Sequence, residues 1–185
     1  MKLFTFLISF IMITITTSSA QQRLLTRNGT VSFFSKTALE TIEAHTQTAA
    51  SVFDKQTGQI EFRVLIKSFE FEKALMHEHF NENYLESDKF PKSVFEGRID
   101  DPLKVDFSHE GTYTQPVTGQ LTIHGETKKI TTPVIFVIQK TSVNAVAEFS
   151  ILLADYKISI PGIVKDKISK SVNIRVKLKY ETAPL

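Results

Sequence analysis

The chain is patterned in twos. Over residues 172–180, Val172, Ile174, Val176, Leu178 and Tyr180 fall on one face and Asn173, Arg175, Lys177 and Lys179 on the other. Successive side chains of a strand point to opposite sides, so this period predicts a β-strand with one buried and one wet face. Gln59 to Lys67 repeats it: Ile60, Phe62, Val64 and Ile66 share a side, opposite Glu61, Arg63 and Lys67, with Leu65 the exception. The phase then changes, because Phe69 and Phe71 are odd-numbered, and a bulge or bend near Lys67-Ser68 would re-aim them inward. Ala147, Phe149, Ile151 and Leu153 alternate in the same way, as do Tyr156, Ile158 and Ile160, and Leu121 and Ile123 alternate with Thr122 and His124.

Turn chemistry separates these runs. Asn28-Gly29 is the strongest two-residue hairpin signal and predicts a hairpin between Leu24-Leu25 and Val31–Phe33. Thr57-Gly58, Glu110-Gly111, His124-Gly125 and Pro161-Gly162 punctuate the rest. About eight or nine strand candidates follow at hairpin-like spacing without a long helical crossover, which predicts one all-β antiparallel domain, a barrel or a sandwich.

Two segments break the pattern. Ser35 to Ala50 is polar and Ala-rich and fits a loop, a short helical turn or an edge strand. In Lys73 to Ser87, Met76, Phe80 and Tyr84 recur at i, i+4 and i+8, one stripe of a helix. Asn83-Tyr84-Leu85-Glu86 resembles a capping box, so two short helical pieces fit as well as one. Asp88 to Pro91 ends any helix, and Lys92 to Ile99 returns to strand.

Composition adds a compartment. Lys2, the apolar run Leu3–Ile15 and the small residues Ser18-Ser19-Ala20 read as a secretory signal peptide over residues 1–20, cut after Ala20 and too short for a lasting membrane span. The mature domain is then residues 21–185, periplasmic or secreted. The chain has no Cys, which excludes disulfides and lipid attachment at a Cys. Its net charge is +2, and the leader takes away one Lys and no acid, leaving +1. No broad basic field exists to attract nucleic acid. Three of the 15 Phe lie in the leader; the twelve that remain exceed what a small β-domain needs for punctuation alone and suit either a core or an apolar lumen.

Candidate chemistry centres on His77 and His79. Two such residues at i, i+2 bind one metal from a strand, where both point the same way, but on a helix they diverge by about 200°. The local pattern favours helix, with His79 buttressing it and His77 solvated. His124, in a turn before Gly125, reads as exposed. No nucleophile elbow, phosphate loop or activated Ser is present in the sequence. Glu70, Glu72, Glu78, Glu82, Glu86 and Asp88 read as a wet face, and Lys165–Lys170 as a solvated loop or a contact for an anionic lipid head group.

The order of these elements resembles the YceI-like, polyisoprenoid-binding family of secreted bacterial proteins. The resemblance begins at Val31-Ser32-Phe33-Phe34 and runs through Thr57–Phe62, then His79-Phe80, Asp88, Lys89-Phe90-Pro91 and Phe95, to the hairpin Gly119–Lys129. Met76-His77-Glu78 replaces the family's usual Arg-Asp approach, Leu153–Lys157 lacks its Arg, and the MHEHFNENYLES form is similar to a Bacteroidetes-type branch. The resemblance implies a lipocalin-like barrel of eight antiparallel strands with a short helical insert, holding an isoprenoid or other amphiphilic chain, with no catalytic residues, metal or cofactor. The inward faces then place Phe62, Val64, Leu121, Ile123, Phe149, Ile151, Ile174 and Val176 in the lumen, joined by Phe33, Phe71, Phe95 and Phe136. Met76, His79, Phe80 and Tyr84 form a cap at its mouth. The rival readings are a metal-dependent hydrolase using His77 and His79, and a ligand-free interaction module with a filled lumen.

Overall fold

A computed structural model describes residues 23–181, and the expected leader lies outside them. Among the described residues the strands are β1 (Arg23–Lys36), β2 (Thr41–Asp54), β3 (Gln59–Leu65), β4 (Glu70–Phe71), β5 (Lys92–Ile99), β6 (Gly111–Ile123), β7 (Glu126–Gln139), β8 (Ser142–Leu152) and β9 (Ser171–Glu181), with one short helix, α1 (Ala74–His79). Eight strands pair antiparallel in the order β1-β9-β8-β7-β6-β5-β3-β2, and β2 pairs back to β1. The barrel is therefore closed, with each of the eight strands paired on both sides over at least part of its length. β4 is an extra: it bonds β2 at Ala44 and His45, beyond the stretch that β3 covers.

The predicted phase change after Ile66 is a single 3₁₀ turn, Ile66–Ser68, and it carries both Phe69 and Phe71 to the interior. The Ser68 hydroxyl donates to the Leu65 carbonyl at 2.7 Å and meets the Thr46 hydroxyl at 2.9 Å, which stitches the bend to β2.

Asn28-Gly29 makes no hairpin. β1 runs straight through it, with register irregularities against β2 on either side of Gly29. Gly29 is needed for closeness: a Cβ there would stand 2.5 Å from Leu178 Cδ2 and 3.1 Å from the Ala49 carbonyl oxygen. The β1–β2 turn falls at residues 37–40 instead, where the Thr37 hydroxyl accepts the amides of Leu39 and Glu40. The left-handed two-residue hairpin lies at His124 (φ 51) and Gly125 (φ 77), whose positive dihedrals match the twist of β6 and β7.

Residues 35–50 resolve into the end of β1, that turn and most of β2. The inward positions of β2 include Ala44, Thr46, Ala49 and Ser51, so a full barrel strand shows little apolar alternation. Tyr156, Ile158 and Ile160 are not a strand. Leu153–Tyr156 is a 3₁₀ turn ended by Lys157 at φ 53, and it buries Tyr156 and Ile158 without sheet pairing.

Candidate ligand cavity

Alternating chain direction sorts the connections to two ends. The β2–β3 turn, residues 100–110 and the β7–β8 turn lie at one end; the β1–β2 turn, residues 66–91, the β6–β7 turn and residues 153–170 lie at the other. The first end is packed shut. Phe53, fully buried, has its ring 5.2 Å from Phe107, 5.9 Å from Phe136 and 5.8 Å from Tyr180. Tyr180 forms the floor above this plug, bonded to the Ser51 hydroxyl at 2.8 Å, and burial pushes its phenol up to about 12.

Above the floor is a cavity of about 440 Å³, within the roughly 300–1,000 Å³ typical of small-molecule sites. Eleven of the twelve predicted lumen residues line it: Phe33, Phe62, Val64, Phe71, Phe95, Leu121, Ile123, Phe149, Ile151, Ile174 and Val176. Phe136 does not. It shares the inward face of β7 with Ile130, Thr132 and Val134, which do line the cavity, but sits further toward the closed end and belongs to the plug. Parity gives a residue its face; only the barrel's axis gives its depth.

Polar groups collect at the mouth, where Glu40, Lys73, His79 and Lys167 join the lining, while Ser35, Ser93 and Thr132 are the small polar interruptions of the wall. Sequence reasoning missed Ile42, Val164 and Ile168, because residues 35–50 fit a loop, a helical turn or an edge strand alike and the stretch after Pro161-Gly162 shows no strand period. The alternation of Ile42 with Ala44 was a findable signal; the 3₁₀ turn that aims Val164 inward leaves none.

The insert shapes the mouth. α1 continues directly into a wider π-turn over Phe80–Tyr84, closed by the Leu85 amide on the Phe80 carbonyl at 2.9 Å, so no second helix starts at Asn83. The stripe survives this widening, and Met76, Phe80 and Tyr84 all face the cavity with His79 beside them. Burial raises the Tyr84 phenol above its ordinary value. Phe80 inserts among three rings, 5.3 Å from Phe33, 5.7 Å from Phe69 and 5.1 Å from Phe71. Such pairs add about 0.5–1.5 kcal/mol each beyond area burial, and they pin the insert to β1 and β4.

The histidines fall differently from expectation. His77 is half-buried rather than fully solvated: its ring packs edge-on to Phe71 at 6.2 Å. His79 is the exposed one, with Nδ1 3.0 Å from the Asn83 amide. Their surroundings differ, and no group of three His, Asp or Glu side chains among the described residues is placed to hold a metal ion. His124 is mostly covered rather than exposed, with 11% of its side chain accessible. Nδ1 donates to the Tyr156 carbonyl at 3.1 Å, Nε2 lies 2.8 Å from Glu86 Oε2, and the Phe90 ring stands against it at 4.6 Å. The hairpin turn of β6–β7 thereby ties the end of the insert to the β8–β9 connection. A carbonyl only accepts, so Nδ1 is the donor in the contact with Tyr156.

These features define a class: a closed antiparallel β-barrel with a packed floor and an apolar hollow open at one end. The chain belongs to the YceI-like domain family, which matches residues 14–180. Similar solved structures include a polyisoprenoid binding domain from Saccharophagus degradans implicated in plant cell wall breakdown, with a TM-score of 0.76 at 14% identity over 88% of this chain and 99% of that one. BcnA of Burkholderia cenocepacia has a TM-score of 0.67 at 18% identity, over 82% and 95%. The Campylobacter jejuni YceI protein has 0.58 at 17% identity, over 99% of both. Identities this low show a common fold. No curated protein matches the chain. No helix among the described residues is long and apolar enough to cross a membrane.

Proposed function

We propose that this chain is a non-catalytic, periplasmic or secreted carrier of a long apolar lipid, isoprenoid-like or otherwise amphiphilic, held in the barrel lumen. The observation that carries this reading is the 440 Å³ hollow walled by apolar side chains, closed by Tyr180 at one end and bordered by charged groups at the other. A filled lumen, as a ligand-free interaction module requires, is at odds with it. Each buried methylene contributes about 0.8 kcal/mol, so ten give roughly 8 kcal/mol before the cost of ordering the chain. Binding of that size needs no reacting group. The ligand's apolar end points at Tyr180 and its polar end at Glu40, Lys73, His79 and Lys167. The polyisoprenoid binding of the Saccharophagus domain supports the ligand class, and the sequence of residues 1–20 supports export.

Native mass spectrometry of protein secreted by its own host tests the carrier reading. The expected result is a bound lipid released by organic solvent. Protein that arrives empty and takes up no amphiphile in vitro overturns it.

A further inference from the structure

Large aliphatic side chains stand in water on three separate segments around the mouth. Leu39 in the β1–β2 turn is 71% exposed, Leu75 at the start of α1 is 60% exposed and Ile163 in the β8–β9 connection is 94% exposed. Each adjoins the cavity: Glu40 and Ile42 follow Leu39 into the lining, Leu75 itself lines it, and Val164 turns inward beside Ile163. Two of these segments are fastened to each other at this end, since the Ser169 amide of the β8–β9 connection donates to the Ser35 hydroxyl at the end of β1 at 2.9 Å. The three residues thus form the rim of one opening, with no partner in the fold.

Lysines frame the same rim. Lys73 and Lys167 line the mouth and Lys36, Lys165 and Lys170 flank it, against Glu40, Glu72, Glu78 and Asp166. None of these nine groups forms an ion pair among the described residues. A lysine lays its apolar stem along a lipid surface and lifts its ammonium to the phosphate level, which suits a ring of lysines around protruding aliphatic tips.

We infer that the open end of the barrel docks on the phosphate-bearing surface of a lipid bilayer, with Leu39, Leu75 and Ile163 dipping below the head groups. This role rests on the carrier reading: an apolar ligand passes between bilayer and lumen without crossing water only if the mouth meets the membrane. The closed end supplies the contrast. Among the described residues its most exposed large aliphatic, Leu103 at 93%, sits on residues 102–104, on the far side of the plug from the cavity, with Leu25 on the outer face of β1 exposed to a lesser degree.

The test is flotation of the mature protein with vesicles of phosphatidylethanolamine and phosphatidylglycerol. Loading of a dansyl-labelled fatty acid in vesicle-free buffer is measured in parallel. Leu39→Asp with Ile163→Asp removes two tips that do not line the cavity; the milder Leu39→Ser with Ile163→Ser guards against misfolding, checked by circular dichroism. Each loss is expected to weaken flotation about tenfold and the pair about a hundredfold, with dansyl loading unchanged. Leu103→Asp is expected to float as the unaltered protein does. Equal flotation of the double variants, or an equal loss in Leu103→Asp, overturns the docking face. Protein that loads the dansyl probe but ignores vesicles also sinks the docking and leaves the carrier intact. Protein that does neither removes the carrier reading and the docking with it.

Discussion

The two ends of this barrel are built from the same strands and do opposite things. At the closed end, residues 100–110 fold Phe107 onto Phe53, and Phe136 and Tyr180 complete a dry stack. At the open end, the insert brings Phe80 onto Phe33, Phe69 and Phe71, yet a hollow stays beneath them. Both ends present an aromatic on a connecting segment to inward strand residues. The difference is where the connection goes. One drops its ring onto the axis and fills the lumen; the other lays its ring against the wall beside β1 and β4 and leaves the axis free. Alternation along strands makes an interior, and the connections decide whether it is core or cavity.

The comparison is tested most severely by Phe53→Ala. Truncating a fully buried ring in a packed cluster costs about 3–5 kcal/mol, read as a lower denaturant midpoint. Lipid uptake by the fraction that remains folded is expected to stay unchanged. A cost near 1 kcal/mol would mean that the floor is loosely packed and the two ends are alike.

Alkali probes the same floor without mutation. The Tyr180 phenol is raised from 10.0 to about 12 because ionising it would bury a charge, with the Ser51 hydrogen bond opposing the shift. A raised folded-state value contributes stability that is present below pH 10 and lost as pH climbs through 12. Two units are worth on the order of 3 kcal/mol. Denaturant midpoints are therefore expected to fall between pH 10 and 12, and Tyr180→Phe should remove most of that slope. A slope unchanged in Tyr180→Phe would assign it to other groups.

Much of this contrast was legible in the sequence, and the illegible part has a pattern. Strands such as β9 and β3 declared themselves because large apolar residues occupy every inward position. β2 hid because the inward residues along its middle, Ala44, Thr46, Ala49 and Ser51, are small, and Asn28-Gly29 misled because a glycine demanded by closeness to Leu178 looks in sequence like one demanded by a turn. The lumen residues followed from parity, with Phe136 the exception because depth along the barrel depends on strand tilt and register. The cap stripe of Met76, Phe80 and Tyr84 was legible through helical spacing. The covering of His124 was not, since its partners Glu86 and Tyr156 lie 38 and 32 residues away in sequence.

Phe80→Ala measures the open end against the closed one. The ring already borders empty space, so its loss is expected to cost about 2 kcal/mol, below the range for a packed ring. Its larger effect should be on faster uptake and release of a dansyl-labelled fatty acid, followed by stopped-flow fluorescence. A stability cost equal to that of Phe53→Ala with unchanged ligand kinetics would make the insert a second plug.

The smallest effects separate two polar ties of that insert. His124 and Glu86 meet at 2.8 Å with the imidazole mostly covered and the carboxylate partly exposed, whereas Lys67 and Asp88 meet at 2.6 Å with side chains 62% and 94% exposed. A tie to a mostly covered ring resists competition from water better than a tie between two solvated ends, whatever its length. His124→Ala also leaves the Tyr156 carbonyl without its donor. It is expected to cost about 1–2 kcal/mol and to speed amide exchange across residues 80–90, where the π-turn hangs from Glu86. Lys67→Ala, by the same exchange measurement, should change stability by less than about 0.5 kcal/mol and leave protection of those amides as it was. Equal exchange rates in the two variants would mean that the ring cluster around Phe80 holds the insert alone, and that the imidazole serves the β6–β7 turn rather than the mouth.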